Sequence, residues 1–469
     1  MNRSWGSFGM FACALALAGC AGSASVGDNH DALTAKLATG SFHLLGVTSD
    51  NYAIVQNSVA NTINAVNLAS GASTLIVAGT QAPGTDWLTF GQTAIVLTDA
   101  IAGGSARMTV WTAATGAKLL SANADIAGLW NGLRVSRDGQ RIAYWDHVDA
   151  TTDALVVDNA QHSARRVLTN VAGNVHGVIR LPGGTGTRVV ASYCTVGGTL
   201  AGGNGIVTAW NLATDTSVTL QTNAQLGVQV DPSGTRAMVR QQGSIATIVT
   251  LDGATRVPLD SDFFGGIWLP DGVEFVYVAG GALKRVCTSG KPEIIQSGVA
   301  GLYALSPDTS AVAYVTTQSD NGNSDLRISS LLAQQPPAIL NADGAAHLEN
   351  WSGDGKQFLF YDAADAVRYV GTLIASPVSG GPGRVLTTTG LSKIDGDLEL
   401  SGQKLVFNDN WVPATPTVPE HVDLKYVDLS GAAAPATLAS NVTPNFIASA
   451  DERLVVYTTA DGLYTVTLP

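Results

Sequence analysis

Residues that commonly carry out chemistry are scattered along this chain. No two of its seven histidines share a metal-ligand spacing; they are His30, His43, His147, His162, His176, His347 and His421. The chain contains no G-x-S-x-G nucleophile turn, no H-E-x-x-H zinc motif and no C-x-x-C pair. We therefore predict no catalytic residue, no metal site and no cofactor, and we expect that the protein is not an enzyme.

One polar loop has the composition of a cation site. Residues 320–325 offer side-chain oxygens from Asp320, Asn323 and Asp325, and oxygens are the ligands of calcium. Asp and Asn in short loops also bond their own backbone. We interpret this loop as a solvated turn.

Binding residues are predicted where polar side chains recur at one place in a repeated pattern. Two positions before a recurring turn triplet stand Arg134, Gln229, Asn350 and Glu399. Other candidates near the same strand starts are Trp130, His176, His347, Glu349, Asp395 and Asp397. The pattern predicts that these side chains line the mouth of a central channel. Either they bind a ligand there, or they satisfy strand ends and channel water.

A second candidate contact region is the Pro-rich stretch 408–421, which carries Trp411. Long loops usually have a function or are disordered. Both interpretations stay open for this loop.

These residues must be positioned by a repeat that covers nearly the whole chain. Its period is roughly 44 residues, in the range typical of propellers. The repeat has ten units, and nine of them have four short strands rich in Val, Ile, Leu, Thr and Tyr, separated by Gly, Asp and Pro. Residues 302–332 show the pattern most clearly: a strand, the turn Ser306-Pro307-Asp308, the strand AVAYV, a polar loop and a third strand.

Four-stranded units of this kind predict an all-β fold, a β-propeller of antiparallel blades over residues 32–469. Ten units exceed the usual four to eight blades, so we leave the blade number open between about seven and ten. One closed ring is favoured over two small propellers or an eight-bladed ring. The last unit lacks a fourth strand, and residues 32–37 precede the first strand of unit one. We predict that residues 32–37 pair with residues 464–468 and close the ring.

The turn motifs resemble the WD-like repeat of the TolB propeller family. The matching turns are Ser136-Arg137-Asp138-Gly139, Asp231-Pro232-Ser233-Gly234, Leu269-Pro270-Asp271-Gly272, Ser306-Pro307-Asp308 and Ser352-Gly353-Asp354-Gly355. The loop Gly322-Asn323-Ser324-Asp325-Leu326 and the turn Val427-Asp428-Leu429-Ser430-Gly431 also match, whereas the first two units lack the triplet. The resemblance implies a module that binds envelope proteins or peptides. The alternative is a polysaccharide- or substrate-binding protein, or a hydrolase or lyase on a propeller scaffold.

The N-terminus predicts export. Arg3 precedes an apolar run too short to span a bilayer, which is the layout of a secretory signal. The run ends in Leu17-Ala18-Gly19-Cys20, which resembles the lipobox of bacterial lipoproteins. The resemblance implies a signal peptide over residues 1–19, lipidation of Cys20, a tether over 20–31 and an outer-membrane protein facing the periplasm or the exterior. An ordinary signal peptide cut nearby is the alternative.

Composition and cysteine content fit an exported protein. The net charge of −12 argues against nucleic acid, and 52 glycines with a mean hydropathy of +0.19 suit an all-β chain with many turns. We expect a monomer whose only membrane contact is the lipid. Cys194 and Cys287 lie about two repeats apart. We interpret both as buried thiols rather than as a disulfide, because distant Cα atoms cannot be bridged.

Overall fold

The computed structural model describes most of the chain after residue 33. The described ranges are 34–79, 87–101, 104–125, 132–172, 177–182, 187–194, 205–241, 245–287, 290–316, 325–331, 337–341, 347–365, 370–391, 397–399, 402–449 and 451–468. The predicted signal peptide, Cys20 and the tether lie outside these ranges.

Strands dominate the described residues, and they form ten four-stranded antiparallel blades. Blade one contains β2 (Phe42–Val47), β3 (Tyr52–Asn57), β4 (Thr62–Asn67) and β5 (Ser73–Ala78). Blade two contains β6 (Trp87–Phe90), β7 (Thr93–Ile101), β8 (Ser105–Thr112) and β9 (Gly116–Asp125). Blade three contains β10 (Leu133–Val135), β11 (Arg141–Asp149), β12 (Thr152–Asn159) and β13 (Arg166–Ala172).

Blades four and five share one long strand. Blade four contains β14 (Val178–Arg180), β15 (Arg188–Cys194), β16 (Gly205–Asn211) and the first part of β17 (Thr216–Val230). Blade five contains the end of β17, β18 (Arg236–Gln241), β19 (Ala246–Thr250) and β20 (Arg256–Pro258). Blade six contains β21 (Phe263–Trp268), β22 (Glu274–Ala279), β23 (Ala282–Cys287) and β24 (Glu293–Ser297).

The remaining blades repeat the same order. Blade seven contains β25 (Val299–Leu305), β26 (Ala311–Thr316), β27 (Leu326–Ser330) and β28 (Ala338–Asn341). Blade eight contains β29 (His347–Trp351), β30 (Gln357–Asp365), β31 (Val370–Pro377) and β32 (Arg384–Leu391). Blade nine contains β33 (Asp397–Glu399), β34 (Lys404–Val412), β35 (His421–Asp428) and β36 (Ala436–Val442). Blade ten contains β37 (Phe446–Ala448), β38 (Leu454–Thr459), β39 (Gly462–Thr467) and β1 (Thr34–Thr39).

A buried serine closes the first turn in several blades. In blade seven the hydroxyl of Ser306 donates to Asp308 Oδ1 at 2.7 Å and accepts from the amide of Ala311 at 3.0 Å. Ser136 and Ser352 make the same two contacts in blades three and eight. The serine–aspartate triplets of the sequence are therefore turns whose backbone is satisfied locally by a side chain.

The outermost strand of nine blades has, within the described residues, a β-bulge at a leucine or an isoleucine. These residues are Leu37, Ile76, Leu120, Leu168, Leu220, Ile295, Leu340, Leu386 and Leu438. Each packs into, or against, a different apolar cluster between blades. The bulge also disrupts an exposed sheet edge, which limits pairing with other chains.

The described apolar side chains form ten clusters, and each cluster is shared by consecutive blades. The cluster between blades ten and one joins Val456 and Leu463 to Leu44 and Val55, all fully buried. Because blade ten packs on blade one, the blades form one closed ring. The predicted single ring is thus confirmed, and its ten blades match the ten sequence repeats.

Strand β1 completes blade ten, as predicted. It pairs with β39 in antiparallel register, with Thr34 opposite Val466 and Thr39 opposite Gly462. The structure describes β1 from Thr34 onward, and residues 32 and 33 of the predicted range 32–37 lie outside the described part. The Nζ of Lys36 donates to Asp461 Oδ2 at 2.6 Å and lies 5.3 Å from the ring centroid of Tyr464.

The two described cysteines are not bonded to each other, and only one is buried. Cys194 is 8% exposed, whereas Cys287 is exposed at the end of β23. The prediction that both thiols are buried is wrong for Cys287. Its place at the strand end leaves the sulfur free to donate to Glu274 Oε1 at 3.4 Å.

Candidate functional site

The first strand of each blade lies nearest the centre of the ring. Contacts between consecutive blades join first strands to each other: β2 meets β6, β10 meets β14, the shared strand β17 meets β21, and β25 meets β29. Side chains on first strands are therefore the ones positioned to face a channel.

One level of this inner wall can be compared between blades through strand register. In nine blades a first-strand residue pairs with the third residue of the second strand. In blade order these residues are Gly46, Leu88, Arg134, Arg180, Gln229, Ile267, Ala304, Leu398 and Ile447. Three consecutive blades, three to five, thus contribute Arg, Arg and Gln to one polar arc.

Arg134 and Arg180 are the charged part of this arc. The Nη1 of Arg134 donates to the carbonyl of Leu133 at 2.7 Å, and the Nη1 of Arg180 donates to the carbonyl of Ile179 at 2.9 Å. Each guanidinium is thereby held beside its own inner strand. Burial, followed by the positive charge of Arg180, lowers the pKa of Arg134 to about 9. Burial also lowers the pKa of Arg180.

The other predicted channel residues divide into three groups. Gln229 is half-buried within the arc, and Asn350 is exposed, with its Oδ1 accepting from the amide of Trp351 at 2.9 Å. The backbones of four others lie on first strands, but their side chains are outside the described part: His347, Glu349, Asp397 and Glu399. Three lie wholly outside the described residues: Trp130, His176 and Asp395.

The structure brings together a histidine and two carboxylates that the sequence did not group. His147 Nδ1 contacts Asp153 Oδ1, and His147 Nε2 lies 3.9 Å from Asp125 Oδ1. We call these three residues the His147 cluster. His147 lies two residues before the end of β11, Asp153 is the second residue of β12, and Asp125 is the last residue of β9 in the preceding blade, at the end of the ring where first strands begin. Both aspartates are buried, with exposures of 0% for Asp153 and 8% for Asp125.

The His147 cluster falls short of a complete acid–base pair. Only Asp153 is within hydrogen-bond reach of the imidazole, because 3.9 Å is too long for a hydrogen bond. The cluster also lies one strand outward from the channel. Among the described residues, no group of three His, Cys, Asp or Glu side chains could hold a metal ion.

Trp411 lies on a strand rather than in the predicted loop. It lies on β34, its half-buried ring packs against the cluster between blades nine and ten, and its Nε1 donates to Glu420 Oε1 at 2.6 Å. The remaining loop spans residues 413–420 and is largely exposed. A contact role for Trp411 stays a prediction.

The candidate cation loop is described only at its end. Asp325 accepts a hydrogen bond at 2.6 Å from the guanidinium of Arg327, while Asp320 and Asn323 lie outside the described residues. None of the described residues belongs to a helix that is long and apolar enough to span a membrane.

Comparison with known proteins shows similarity of fold alone. No protein-family model matches the chain, and no curated protein matches it. A solved structure of the eukaryotic initiation factor is 15% identical, covers 74% of this chain and 88% of its own, and has a TM-score of 0.50. Dipeptidyl peptidase 4 from Porphyromonas gingivalis is 12% identical, with coverages of 85% and 66% and a TM-score of 0.48. TolB from Acinetobacter baumannii is 15% identical, with coverages of 70% and 79% and a TM-score of 0.28.

The fold assignment therefore rests on the strand topology of the blades. The chain is an all-β propeller, as the resemblance to the TolB family implied. The TM-scores of the peptidase and of TolB are below 0.5, so neither likeness bears on function.

Proposed function

We propose that the protein is a lipid-anchored cell-envelope propeller that binds protein or peptide segments at the mouth of its channel. The observation that supports this most is the polar arc of Arg134, Arg180 and Gln229 on three consecutive inner strands. A fold can host many functions, so the proposal depends on this site rather than on the propeller.

Binding is tested by capture from envelope extracts. The full chain is immobilised beside a variant with Arg134→Gln and Arg180→Gln, and bound proteins are identified by mass spectrometry. The proposal predicts a protein retained by the wild type and lost from the variant. If a glycan array instead gives arginine-dependent binding, the function is polysaccharide recognition.

The envelope location rests on the stretch ending at Cys20. Cys20→Ser should lose the lipid and move the protein from the membrane to the soluble fraction, whereas globomycin, which blocks removal of lipoprotein signal peptides, should make the uncleaved precursor accumulate in the membrane. Cys287→Ser is the matched control, because it removes a described, exposed thiol far along the chain. If Cys20→Ser fractionates like Cys287→Ser, the lipid anchor is wrong.

A second candidate function is acid–base catalysis at the His147 cluster. The contact between His147 and buried Asp153 is the arrangement that orients an imidazole in many hydrolases. Nε2 of His147 lies 3.9 Å from Asp125 Oδ1, which is too far for a hydrogen bond. A substrate group would therefore have to bind between them to complete the pair. Turnover of peptide or glycan substrates that is lost in His147→Gln would favour this function over binding.

A further inference from the structure

A cleft separates blades four and five at the end of the ring where first strands end. Its volume is about 110 Å³, and its lining includes Arg188, Trp210, Val218, Leu251 and Asp252. These residues come from the second, third and fourth strands of blade four and from the turn after β19, so the cleft lies away from the channel. Because one water molecule takes about 30 Å³, the cleft has room for a group of a few heavy atoms.

The equivalent groove between blades three and four is filled by an arginine of the chain itself. The Nη1 of Arg166, on the outermost strand of blade three, donates to the carbonyl of Leu212 in blade four at 3.4 Å. The Nη2 of Arg166 contacts the carboxylate of Asp215 in the same turn. Arg384 of blade eight likewise donates to the carbonyl of Gly431 in blade nine. A groove of this kind therefore accepts a guanidinium group.

Strand register places Val218 where the other two blades have arginine. Arg166, Arg384 and Val218 each stand two residues before the leucine bulge of their outermost strand. Valine offers no hydrogen-bond donor to the next blade. The cleft between blades four and five is thus the same groove with valine in place of arginine.

The acceptors of the groove are kept in blade five. Leu251 corresponds to Leu212, because the amide of each donates to the residue just before the second strand of its own blade, at 2.8 Å and 2.9 Å. Among the described residues, none donates a hydrogen bond to the carbonyl of Leu251. Asp252 supplies a carboxylate, which the hydroxyl of Thr250 and the amide of Ala254 hold at 2.5 Å and 3.0 Å.

The arginine already in the cleft wall does not exclude a second one. Arg188 begins the second strand of blade four, and its Nη1 donates to the carbonyl of Gly234 at 3.2 Å. Arg141 holds the same position in blade three, since Arg141 and Arg188 pair with equivalent asparagines of the third strand. The groove beside Arg141 nevertheless contains Arg166.

We propose that the cleft between blades four and five binds an arginine side chain of a partner protein. The guanidinium would donate to the carbonyl of Leu251 and to the carboxylate of Asp252, as Arg166 does in the neighbouring groove. The net charge of −12 favours the approach of a basic partner. This site goes beyond the proposed function, because it lies outside the channel and does not depend on the polar arc.

The experiment uses three small probes that differ only in their side chains. They are N-acetyl-arginine methylamide, its uncharged analogue N-acetyl-citrulline methylamide, and N-acetyl-lysine methylamide. Each is titrated into the full chain with labelled leucine and valine methyl groups, and NMR follows the signals of Val218 and Leu251. We expect the arginine probe to shift both signals until they saturate, the citrulline probe to leave them unchanged, and the lysine probe to bind more weakly, because it has no paired donors.

Variants then assign the binding to the cleft. Val218→Arg should abolish the shift at Leu251, because it fills the cleft from within as Arg166 fills its groove. Thr219→Arg is the matched control: it adds the same charge at the next, exposed residue of β17 and should bind like the wild type. Asp252→Asn should raise the Kd by about 1.5- to 5-fold, the value of an exposed ion pair.

A further variant tests the same argument without changing the cleft. Arg166→Ala should open the groove between blades three and four, so the arginine probe should then also shift the methyl signals of Leu212. The site is overturned if the citrulline probe binds as tightly as the arginine probe, if Val218→Arg binds like Thr219→Arg, or if Leu212 does not respond in Arg166→Ala. Equal affinity for the lysine probe would show a general cation site and would overturn the assignment to arginine.

Discussion

The closing strand β1 makes the sharpest prediction about stability. Leu37 is the bulge residue of β1, and it packs against the cluster that joins blades ten and one. Leu75 is a leucine of the outermost strand of blade one whose side chain is 56% exposed. Leu37→Ala and Leu75→Ala therefore make the same chemical change on two outer strands, one at the ring closure and one on the surface.

The expected magnitudes follow from burial. Truncating a fully buried leucine to alanine costs about 2–5 kcal/mol, so half-buried Leu37 should lose about 1–2 kcal/mol. Leu75→Ala should change the free energy of unfolding by less than about 0.5 kcal/mol. If β1 closes the ring, the free energy of unfolding lost at Leu37 is lost by the whole ring, since each blade depends on two neighbours.

Equilibrium unfolding in guanidinium chloride, followed by tryptophan fluorescence, measures both variants. The midpoint of Leu37→Ala should fall while its m value stays near that of the wild type. Deleting residues 28–38 should lower the midpoint further and promote self-association, because it uncovers the edge of β39. Deleting residues 21–27 should do almost nothing. Equal midpoints for Leu37→Ala and Leu75→Ala would refute the closure argument.

Two further predictions concern titration. Burial raises the pKa of Asp354, but the amide of Lys356 and the side chains of Gln403 and Ser352 outweigh it and bring the pKa down from 3.8 to about 2. Because this pKa is depressed in the folded state, the stability that the carboxylate contributes is present above about pH 4 and is lost as the pH falls through about 2. The difference in unfolding midpoint between wild type and Gln403→Ala should therefore disappear over that window. A difference that is unchanged at pH 2 would contradict this prediction. The hydrogen bond to Glu274 raises the pKa of Cys287, so Glu274→Gln should speed the labelling of Cys287 by a thiol reagent at neutral pH. Cys287→Ser serves as the blank. A labelling rate equal to that of the wild type would contradict this cause.

The turn chemistry explains why the fold could be predicted from the sequence. Triplets such as Ser306-Pro307-Asp308 fix a local backbone conformation that does not depend on distant residues, so each blade that has one can be recognised in the sequence. The bulge was a missed signal of the same kind. TAKLAT, which contains Leu37, repeats the pattern of PATLASN, which contains Leu438, and both are outermost strands.

The site was harder to predict because strand register and neighbouring blades decide it. Arg134 was found by counting back from its turn, but the same count in blade four gives Ile179 instead of Arg180. Counting back from the arginines that begin the second strands fails as well, because the hairpin from Arg180 to Arg188 is one residue longer than the hairpin from Arg134 to Arg141. No such count exists for the His147 cluster, whose members come from three strands of two blades.

The closure and the channel site should be separable, because coupling in a repeat ring passes mainly between neighbours. The relative position of Arg134 and Arg180 depends on the cluster between blades three and four, where Trp145 packs with Ile179 and Val189. The closure at Leu37 lies between blades ten and one. Leu37→Ala should therefore bind the protein captured from envelope extracts with wild-type affinity under any condition that leaves the variant folded. A weakened affinity in the folded variant would mean that the ring acts as one mechanical unit, and the nearest-neighbour argument would then fail for the site as well as for stability.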